Sequence, residues 1–123
     1  MVKSIGNKKI KTAVFISGKG TNLRNLIKFS KLKKSPIKIC LVFSSNRLAK
    51  GLNYAKKYLI KMKIYNFTNK KKAEFLILKD LKKNRIDLIC LAGFMKILSP
   101  DFIKKFKGKI LNIHPSLLPK YKG

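Results

Sequence analysis

The fold is decided by one segment, Thr12-Ala-Val-Phe-Ile-Ser-Gly-Lys-Gly-Thr-Asn22, in which an apolar run passes through a glycine turn into a helix. Residues 12–17 are apolar and rich in β-forming side chains, which predicts a buried strand that ends at Gly18. Residues 22–32 carry apolar side chains at helical spacing, which predicts an amphipathic helix. A buried strand followed directly by a helix is typical of an α/β fold.

The same alternation continues along the chain. Further strands are predicted at residues 37–43, 63–67, 87–91 and 109–113. Two more helices are indicated by apolar residues at helical spacing: Leu48, Leu52, Ala55 and Leu59, and then Ala73, Leu76, Ile77 and Leu81. Ser99-Pro100-Asp101 predicts the start of a short helix that ends at Gly108, because a capping hydroxyl, a proline and an acid all favour a helix N-terminus. This pattern predicts a parallel, doubly wound α/β sheet, for which we expect the strand order 3-2-1-4.

Composition narrows the class of protein. With 123 residues, the chain fits one domain, which we place at residues 12–123 after a basic lead-in of residues 1–11. No apolar run approaches the roughly 20 residues of a membrane span, and no secretory signal opens the chain. Cys40 and Cys90 have no metal-type spacing, lie in apolar strands and are expected to be buried free thiols. We therefore expect a cytoplasmic protein without a metal or a membrane partner.

The net charge of +27 invites a nucleic-acid interpretation, which we weigh against a simpler one. Of the 31 basic residues, 28 are lysine and 3 are arginine, whereas base readout favours arginine. Lys, Ile and Asn, which all have AT-rich codons, make up 52 of the 123 residues. We therefore favour a solvated lysine surface over a specific nucleic-acid site, although salt-sensitive polyanion binding is expected from the charge.

Chemistry is expected beyond the carboxyl ends of the strands, at residues 18–22, 44–47, 92–98 and 112–119. Gly18-Lys-Gly20-Thr21-Asn22 joins a strand to a helix, so its backbone N–H groups favour a phosphate. Because Leu23 replaces the third glycine of the dinucleotide pattern, a tight turn without a ligand remains the alternative.

Asn112-Ile-His114 ends the fifth predicted strand and places two polar side chains on one side of it. His114, the one histidine, is a natural proton carrier, and an adjacent amide favours a carbonyl oxygen that gains negative charge. The alternative is a histidine that bonds only to a neighbouring loop. Phe94 and Met95 fit either the core or an apolar pocket, and residues 70–72 fit either a solvated helix start or an anion contact.

Three segments make the chain resemble the phosphoribosylglycinamide formyltransferases of purine synthesis. They are Ile-Ser-Gly-Lys-Gly-Thr-Asn at 16–22, Leu-Ala-Gly-Phe-Met-Lys-Ile-Leu-Ser-Pro at 91–100 and Leu-Asn-Ile-His-Pro-Ser-Leu-Leu-Pro-Lys-Tyr at 111–121. The resemblance covers residues 11–123 and implies a three-layer α/β/α, Rossmann-like sheet, truncated after the fifth strand. It also implies formyl transfer from 10-formyltetrahydrofolate to the amine of glycinamide ribonucleotide, both small-molecule substrates.

The resemblance also implies roles for individual residues. It assigns the ribonucleotide phosphate to Gly20, Thr21 and Asn22, and the folate to Lys71, Met95, Lys96, Ile97, Leu98 and Asn112. Asn112 would also contact the formyl oxygen, and His114 would stabilise the tetrahedral intermediate and pass protons. Lys71 stands where the family usually has an arginine, whose planar fork lysine lacks.

The chain departs from the family in its length, because family members continue well past this point and carry there an aspartate that orients the histidine. Lys122 also stands where a proline is usual. We therefore expect the 123-residue chain alone to be inactive. The alternatives are a non-catalytic fragment that binds nucleotides or polyanions, and a relative of methionyl-tRNA formyltransferase. Pro115 argues against the related formyltetrahydrofolate hydrolases, which tend to carry a second histidine there.

Overall fold

The computed structural model describes residues 8–113, which form strands and helices in strict alternation. In chain order the elements are β1 Ile10–Ile16, α1 Thr21–Ser30, β2 Ile37–Ser44, α2 Leu52–Lys57, β3 Lys61–Ile64, a 3-10 turn Phe67–Asn69, α3 Lys70–Lys83, β4 Leu88–Leu91, α4 Pro100–Lys105 and β5 Lys109–Asn112. None of the helices in the described part of the chain is long and apolar enough to cross a membrane.

All five strands are parallel and lie in the order β3-β2-β1-β4-β5. The predicted parallel sheet and the predicted order of its first four strands are therefore confirmed. The chain runs outward from β1 through β2 to β3, and then crosses to β4 and β5 on the other side of β1. The direction of winding thus reverses between β1 and β4, which is the point in such a sheet where ligands bind.

Side chains of β1 alternate between two apolar cores, which makes the molecule three-layered. Val14 and Ile16 pack with residues of α1 and α2, whereas Ala13 and Phe15 pack with residues of α3 and α4. Phe15 is fully buried and makes edge-to-face ring contacts with Phe43 at 5.0 Å and Phe94 at 5.3 Å. Helices on both faces of a parallel sheet explain why the inner strands are apolar on both sides.

A β-bulge in β2 changes the environment of Cys40. Thr12 pairs with Ile39 and Ala13 pairs with Leu41, so Cys40 is left without a partner in the register. The extra residue switches the faces, and Ile39 and Leu41 therefore pack in different cores although they are two apart. Cys40 is half-buried, so the expectation of a fully buried thiol is wrong there, whereas Cys90 is buried; both are free.

Several element boundaries differ from the predicted ones. Leu48 and Leu59 are exposed, because α2 covers only residues 52–57 and Leu59 adopts a left-handed backbone with φ 57° just beyond it. β3 spans Lys61–Ile64, earlier than predicted. β1 begins at Ile10, two residues early, because Ile10 pairs with Ile37 of β2. Hydrophobic patterns therefore identified the five strands and the first three helices but placed their ends less well.

The predicted start of the last helix is confirmed. Ser99 caps α4, since its Oγ accepts the N–H of Phe102 at 3.1 Å. Glu74 of α3 is buried and binds the same serine, accepting its N–H at 2.8 Å and its hydroxyl at 2.6 Å. Both carboxylate oxygens therefore tie α3 to the start of α4.

Candidate functional site

Helix α1 starts at the carboxyl end of β1 without a side-chain cap. Its N-cap, Gly20, has a left-handed backbone with φ 80°, and within residues 8–113 no side chain accepts from the first turn. The first turn holds no acid, and Lys19 beside it is exposed. Thr21 and Asn22, the predicted phosphate ligands, are the first two helical residues. Free N–H donors and the positive end of the helix dipole suit an anion at this place.

Gly20 is required by packing as well as by its backbone angle. A Cβ built on Gly20 would lie 2.3 Å from the Cα of Gly51, which precedes α2. The N–H of Gly51 also donates to the carbonyl oxygen of Gly18 at 2.9 Å. The absence of side chains at the two glycines therefore lets the 18–20 turn pack directly against the start of α2. Gly18 itself is exposed, and a Cβ there would meet nothing within 4 Å in the part of the chain that is described.

The loop of residues 92–98, which we call the β4 loop, lies on the other side of the winding reversal. It begins with a backbone bond from Ala92 N–H to the Phe15 carbonyl at 2.9 Å. Its middle is held by Ser17, whose Oγ accepts the N–H of Met95 at 2.9 Å. The same Oγ lies 2.8 Å from the Oγ of Ser45, which follows β2. Ser17 therefore joins the carboxyl ends of β1 and β2 to the β4 loop.

The four predicted folate contacts of the β4 loop have two different environments. Met95 is 80% exposed and Ile97 is 81% exposed, and Lys96 is exposed with them. Leu98 is only 8% exposed and packs in the core with Phe102. Two large apolar side chains left in solvent beside a polar turn form the kind of surface that an apolar ring could cover. The Leu98 side chain is therefore part of the core.

Asn112 lies next to the β4 loop through the sheet register. It is the last residue of β5 and is paired with Leu91, which is itself paired with Phe15. Because parallel strands are about 4.8 Å apart, the Asn112 backbone lies one strand spacing from the loop and two from β1. Asn112 is exposed. The other half of the predicted pair, His114, lies outside the described residues.

The charged side chains around the start of α1 are basic. All four carboxylates of the chain lie in the described range, and none stands at the start of α1. Glu74 binds Ser99, Asp80 accepts from the Tyr65 hydroxyl, Asp101 pairs with Lys105 at 3.1 Å, and Asp87 precedes β4 at the opposite edge. The α1 start therefore carries only positive potential, which favours an anionic ligand.

Lys71, the remaining predicted folate contact, is exposed in the first turn of α3. It lines an open groove between α3 and α4 that also contains Glu74 and Phe102. Lys71 shares the carboxyl edge of the sheet with the β4 loop but is on the face covered by α3. Its role in folate binding stays a prediction.

Two groups in the described range have shifted pKa values, and neither is a predicted ligand. Burial, reinforced by the hydrogen bond and the charge of Asp80, raises the pKa of Tyr65 to about 12. Burial raises the pKa of the Cys90 thiol to about 11. Cys90 therefore remains a protonated thiol near neutrality and is unsuited to act as a nucleophile.

The structure brings together the uncapped start of α1, an exposed apolar loop and the exposed Asn112 at one edge of the sheet. Three residues that shape this edge were not singled out from the sequence: Ser17, Gly51 and Glu74. Ser17 had a usable signal, because a polar residue directly after a buried strand stands where ligands bind. Gly51 and Glu74 had none, since their partners are distant in the chain. Within residues 8–113 no three metal-ligating side chains come together.

Comparison with known proteins shows what the chain resembles. Residues 10–123 match the sequence model of a family described as formyl transferase. The chain is 47% identical over 116 residues to a phosphoribosylglycinamide formyltransferase of Haemophilus influenzae, covering 92% of this chain and 55% of that protein. It is 43% identical over 122 residues to the trifunctional purine biosynthetic protein adenosine-3 of Gallus gallus, covering 97% of this chain and 12% of that one.

Solved structures agree with these relatives. The phosphoribosylglycinamide formyltransferase of Brucella melitensis is 40% identical with a TM-score of 0.82, covering 94% of this chain and 62% of that one. That of Coxiella burnetii, solved in complex with CHES, is 36% identical with a TM-score of 0.80, covering 94% and 56%. The chain thus spans little more than half the length of the single-function relatives.

Proposed function

The chain belongs to the formyl transferase family, and from that membership we propose that it supplies the ribonucleotide and folate sites of a phosphoribosylglycinamide formyltransferase. The reaction is transfer of the formyl group of 10-formyltetrahydrofolate to the amine of glycinamide ribonucleotide, a step of purine synthesis. The names of the relatives support this reaction, and we propose the cytoplasm as its location. The chain spans only part of those relatives, so the support for each site comes from this chain's own residues.

The phosphate of the ribonucleotide is assigned to Gly20, Thr21 and Asn22. Support comes from the uncapped start of α1, the absence of carboxylates beside it and the exposed Lys19. A dianionic phosphate would accept the N–H groups of the first turn and lie at the positive end of the helix dipole. Gly18 is exposed, and a Cβ there would meet nothing within 4 Å among residues 8–113, which leaves the backbone open to the ligand on that side.

The folate is assigned to the β4 loop, with Lys71 at its margin. The exposed side chains of Met95 and Ile97 supply an apolar surface for a pterin ring, and the loop backbone supplies polar groups for its edge. Lys96 is exposed beside them, and Leu98 contributes through its backbone because its side chain is in the core. Lys71 would meet the negative charge of the folate tail as a point charge.

The chemistry is assigned to Asn112 and His114. The substrate amine attacks the formyl carbon, and the carbonyl oxygen gains negative charge. Asn112 would donate its amide to that oxygen, and its pairing with Leu91, one strand spacing from the β4 loop, supports this role. His114 in its protonated form would donate a second hydrogen bond to the oxygen. As the bond between the formyl carbon and the folate nitrogen breaks, His114 would give its proton to that nitrogen and take up the proton that the attacking amine loses. A single oxyanion donor of this type is typically worth about 10²–10³ in rate.

The observation that carries the proposal is the meeting of the α1 start and the β4 loop at the winding reversal of the sheet, joined by Ser17. A small ribonucleotide and a folate can share that position. The second candidate is a fragment that binds polyanions or a tRNA. The lysine-rich surface favours it only in part, because its lysines are spread along the whole chain.

The test is calorimetric titration of the chain with two ligands: glycinamide ribonucleotide, and the same compound without its phosphate. The salt concentration is about 150 mM, close to the physiological ionic strength. We expect saturable binding that requires the phosphate. Asn22→Asp places a negative charge in the first turn of α1, where it suits the helix but repels phosphate, so binding should fall at least about tenfold. The matched control is Asn69→Asp at the N-cap of α3, which makes the same charge change and retains the acceptor for Lys72 N–H.

Equal loss in both variants, or equal binding of the riboside without phosphate, would assign the affinity to general charge and overturn the phosphate site. Binding that prefers a tRNA and survives high salt would support the methionyl-tRNA relative instead.

A further inference from the structure

Three features of the fold lie outside the assigned ligands: the α3–α4 groove, the Gly20–Gly51 contact and the Ser17 hydroxyl. The groove is rimmed by lysines, but lysines cover the rest of the surface as well, so nothing there selects an occupant. The glycine contact explains stability rather than chemistry. The Ser17 hydroxyl contacts the β4 loop, and Ser17 directly precedes the turn that leads into α1. We propose that Ser17 is a positioning residue that sets the β4 loop for folate; this rests on the proposed function.

The β4 loop is tied at its ends and at one point between them. Ala92 is held by β1 and Ser99, just beyond the loop, by Glu74. Among the hydrogen bonds of residues 8–113, the five loop residues from Gly93 to Ile97 have one, from the Met95 N–H to the Ser17 Oγ. Gly93 has a left-handed backbone with φ 72°, so the chain turns sharply before this contact. The Ser17 bond thus sets the height of the loop above the sheet.

The ring contacts of Phe94 do not replace this bond. Phe94 packs against Phe15 and Phe67 on the α3 side of the sheet, which anchors one residue by apolar contact. Apolar packing is not directional, whereas a hydrogen bond specifies where the backbone of Met95 lies. Since the Met95 and Ile97 side chains are exposed, packing against the rest of residues 8–113 holds them little.

Ser17 is itself well fixed. It directly follows β1, and its Oγ lies 2.8 Å from the Oγ of Ser45. Ser45 in turn donates its backbone N–H to the Ile16 carbonyl at 3.3 Å. Ser17 also directly precedes the 18–20 turn that leads into the proposed phosphate site. One hydroxyl therefore connects the backbone of the proposed folate loop to the start of the proposed phosphate turn.

The test compares Ser17→Ala with Ser17→Thr, which keeps the hydroxyl, and with Ser45→Ala, which removes only the second hydroxyl. The first measurement is amide hydrogen exchange by NMR, which needs no ligand. We expect Ser17→Ala to speed exchange at Met95 at least about fivefold, with Leu23 and Leu26 of α1 unchanged. Ser17→Thr should restore slow exchange, and Ser45→Ala should leave Met95 within about twofold of the original.

The second measurement is binding of tetrahydrofolate and of inorganic phosphate to the same variants. Ser17→Ala should weaken tetrahydrofolate about fivefold, which corresponds to about 1 kcal/mol, and leave phosphate unchanged. Ser17→Thr should restore the affinity. A purely structural serine would change neither ligand selectively and would lower the unfolding midpoint instead.

The two possible failures are distinguishable. If the original chain binds no tetrahydrofolate, the proposed function fails, and the exchange rate of Met95 alone decides whether Ser17 positions the loop. If the original chain binds tetrahydrofolate but Ser17→Ala binds it equally well, the positioning role is refuted and the proposed function stands. Unchanged Met95 exchange in Ser17→Ala also refutes it.

Discussion

Replacing Gly20 by alanine should destabilise the fold strongly, whereas the same change at Gly18 should not. Gly20 has φ 80°, and a left-handed backbone costs an alanine about 1–2 kcal/mol. Its new Cβ would lie 2.3 Å from the Gly51 Cα, a contact with backbone that no rotamer relieves. Overpacking of this kind costs about 1–3 kcal/mol, so the sum is about 2–5 kcal/mol.

Gly18→Ala is the matched control, with the same added methyl group in the same turn. Its Cβ would meet nothing within 4 Å among the described residues, and its φ lies outside the left-handed region. An alanine there reduces the freedom of the unfolded chain, so the change should range from neutral to about 1 kcal/mol more stable. Gly51→Ala should lie between the two, because one of its contacts is the flexible end of Ile16.

The assay is urea unfolding followed by circular dichroism at the helical band, with the free energy of unfolding extrapolated to water. A Gly20→Ala protein within about 0.5 kcal/mol of Gly18→Ala would refute the packing argument. The result also affects how ligand binding is interpreted. If the Gly20 variant loses ribonucleotide binding because it unfolds, that loss does not test the phosphate site. Asn22→Asp is for that reason the better probe of the phosphate site.

Four further outcomes are expected. A thiol reagent at pH 8 should modify half-buried Cys40 well before buried Cys90, and equal rates would contradict the bulge. Because burial raises the folded pKa of Cys90 from 9.0 to about 11, the stability from its neutral thiol is complete below pH 9 and is lost as pH rises through 11; the unfolding midpoint should therefore fall over pH 9–11 relative to that of Cys90→Ala, and a constant difference between the two would contradict this. Binding to heparin should collapse between low and physiological salt, and persistence would indicate a specific polyanion site. The 123-residue chain should show no measurable formyl transfer, because β5 pairs only with β4 among the described residues and the chain spans 55% of the H. influenzae relative. The comparison protein is this chain extended with the rest of that relative. Turnover by the 123-residue chain within tenfold of the extended protein would contradict this prediction.

The sheet was predictable because its signals are local. Each buried strand appears as an apolar run, each helix as a face of apolar residues, and Ser99 as a cap directly before a proline. The handedness of crossovers then restricts the strand order to few possibilities. The positions of the β4 loop and Asn112 at one edge follow from the same topology.

The remaining features depend on residues far apart in the chain. No local pattern marks the bulge at Cys40, which arises from the register between β1 and β2. The pairing of Gly20 with Gly51 and of Glu74 with Ser99 joins segments that are about 25–31 residues apart, so neither could be read from spacing. Leu59 fits the helical period of α2 but lies past its end, where the left-handed backbone turns it into solvent.

The most direct test of the central claim is an NMR titration of the isotope-labelled chain with glycinamide ribonucleotide at 150 mM salt, about the physiological strength. The account predicts saturable amide shifts at Gly18, Gly20, Thr21 and Asn22, and a smaller shift at Met95 transmitted through Ser17. The lysine-rich surface of α3 should not respond. Shifts spread over the lysines of α3, or no saturable change at the start of α1, would contradict the account.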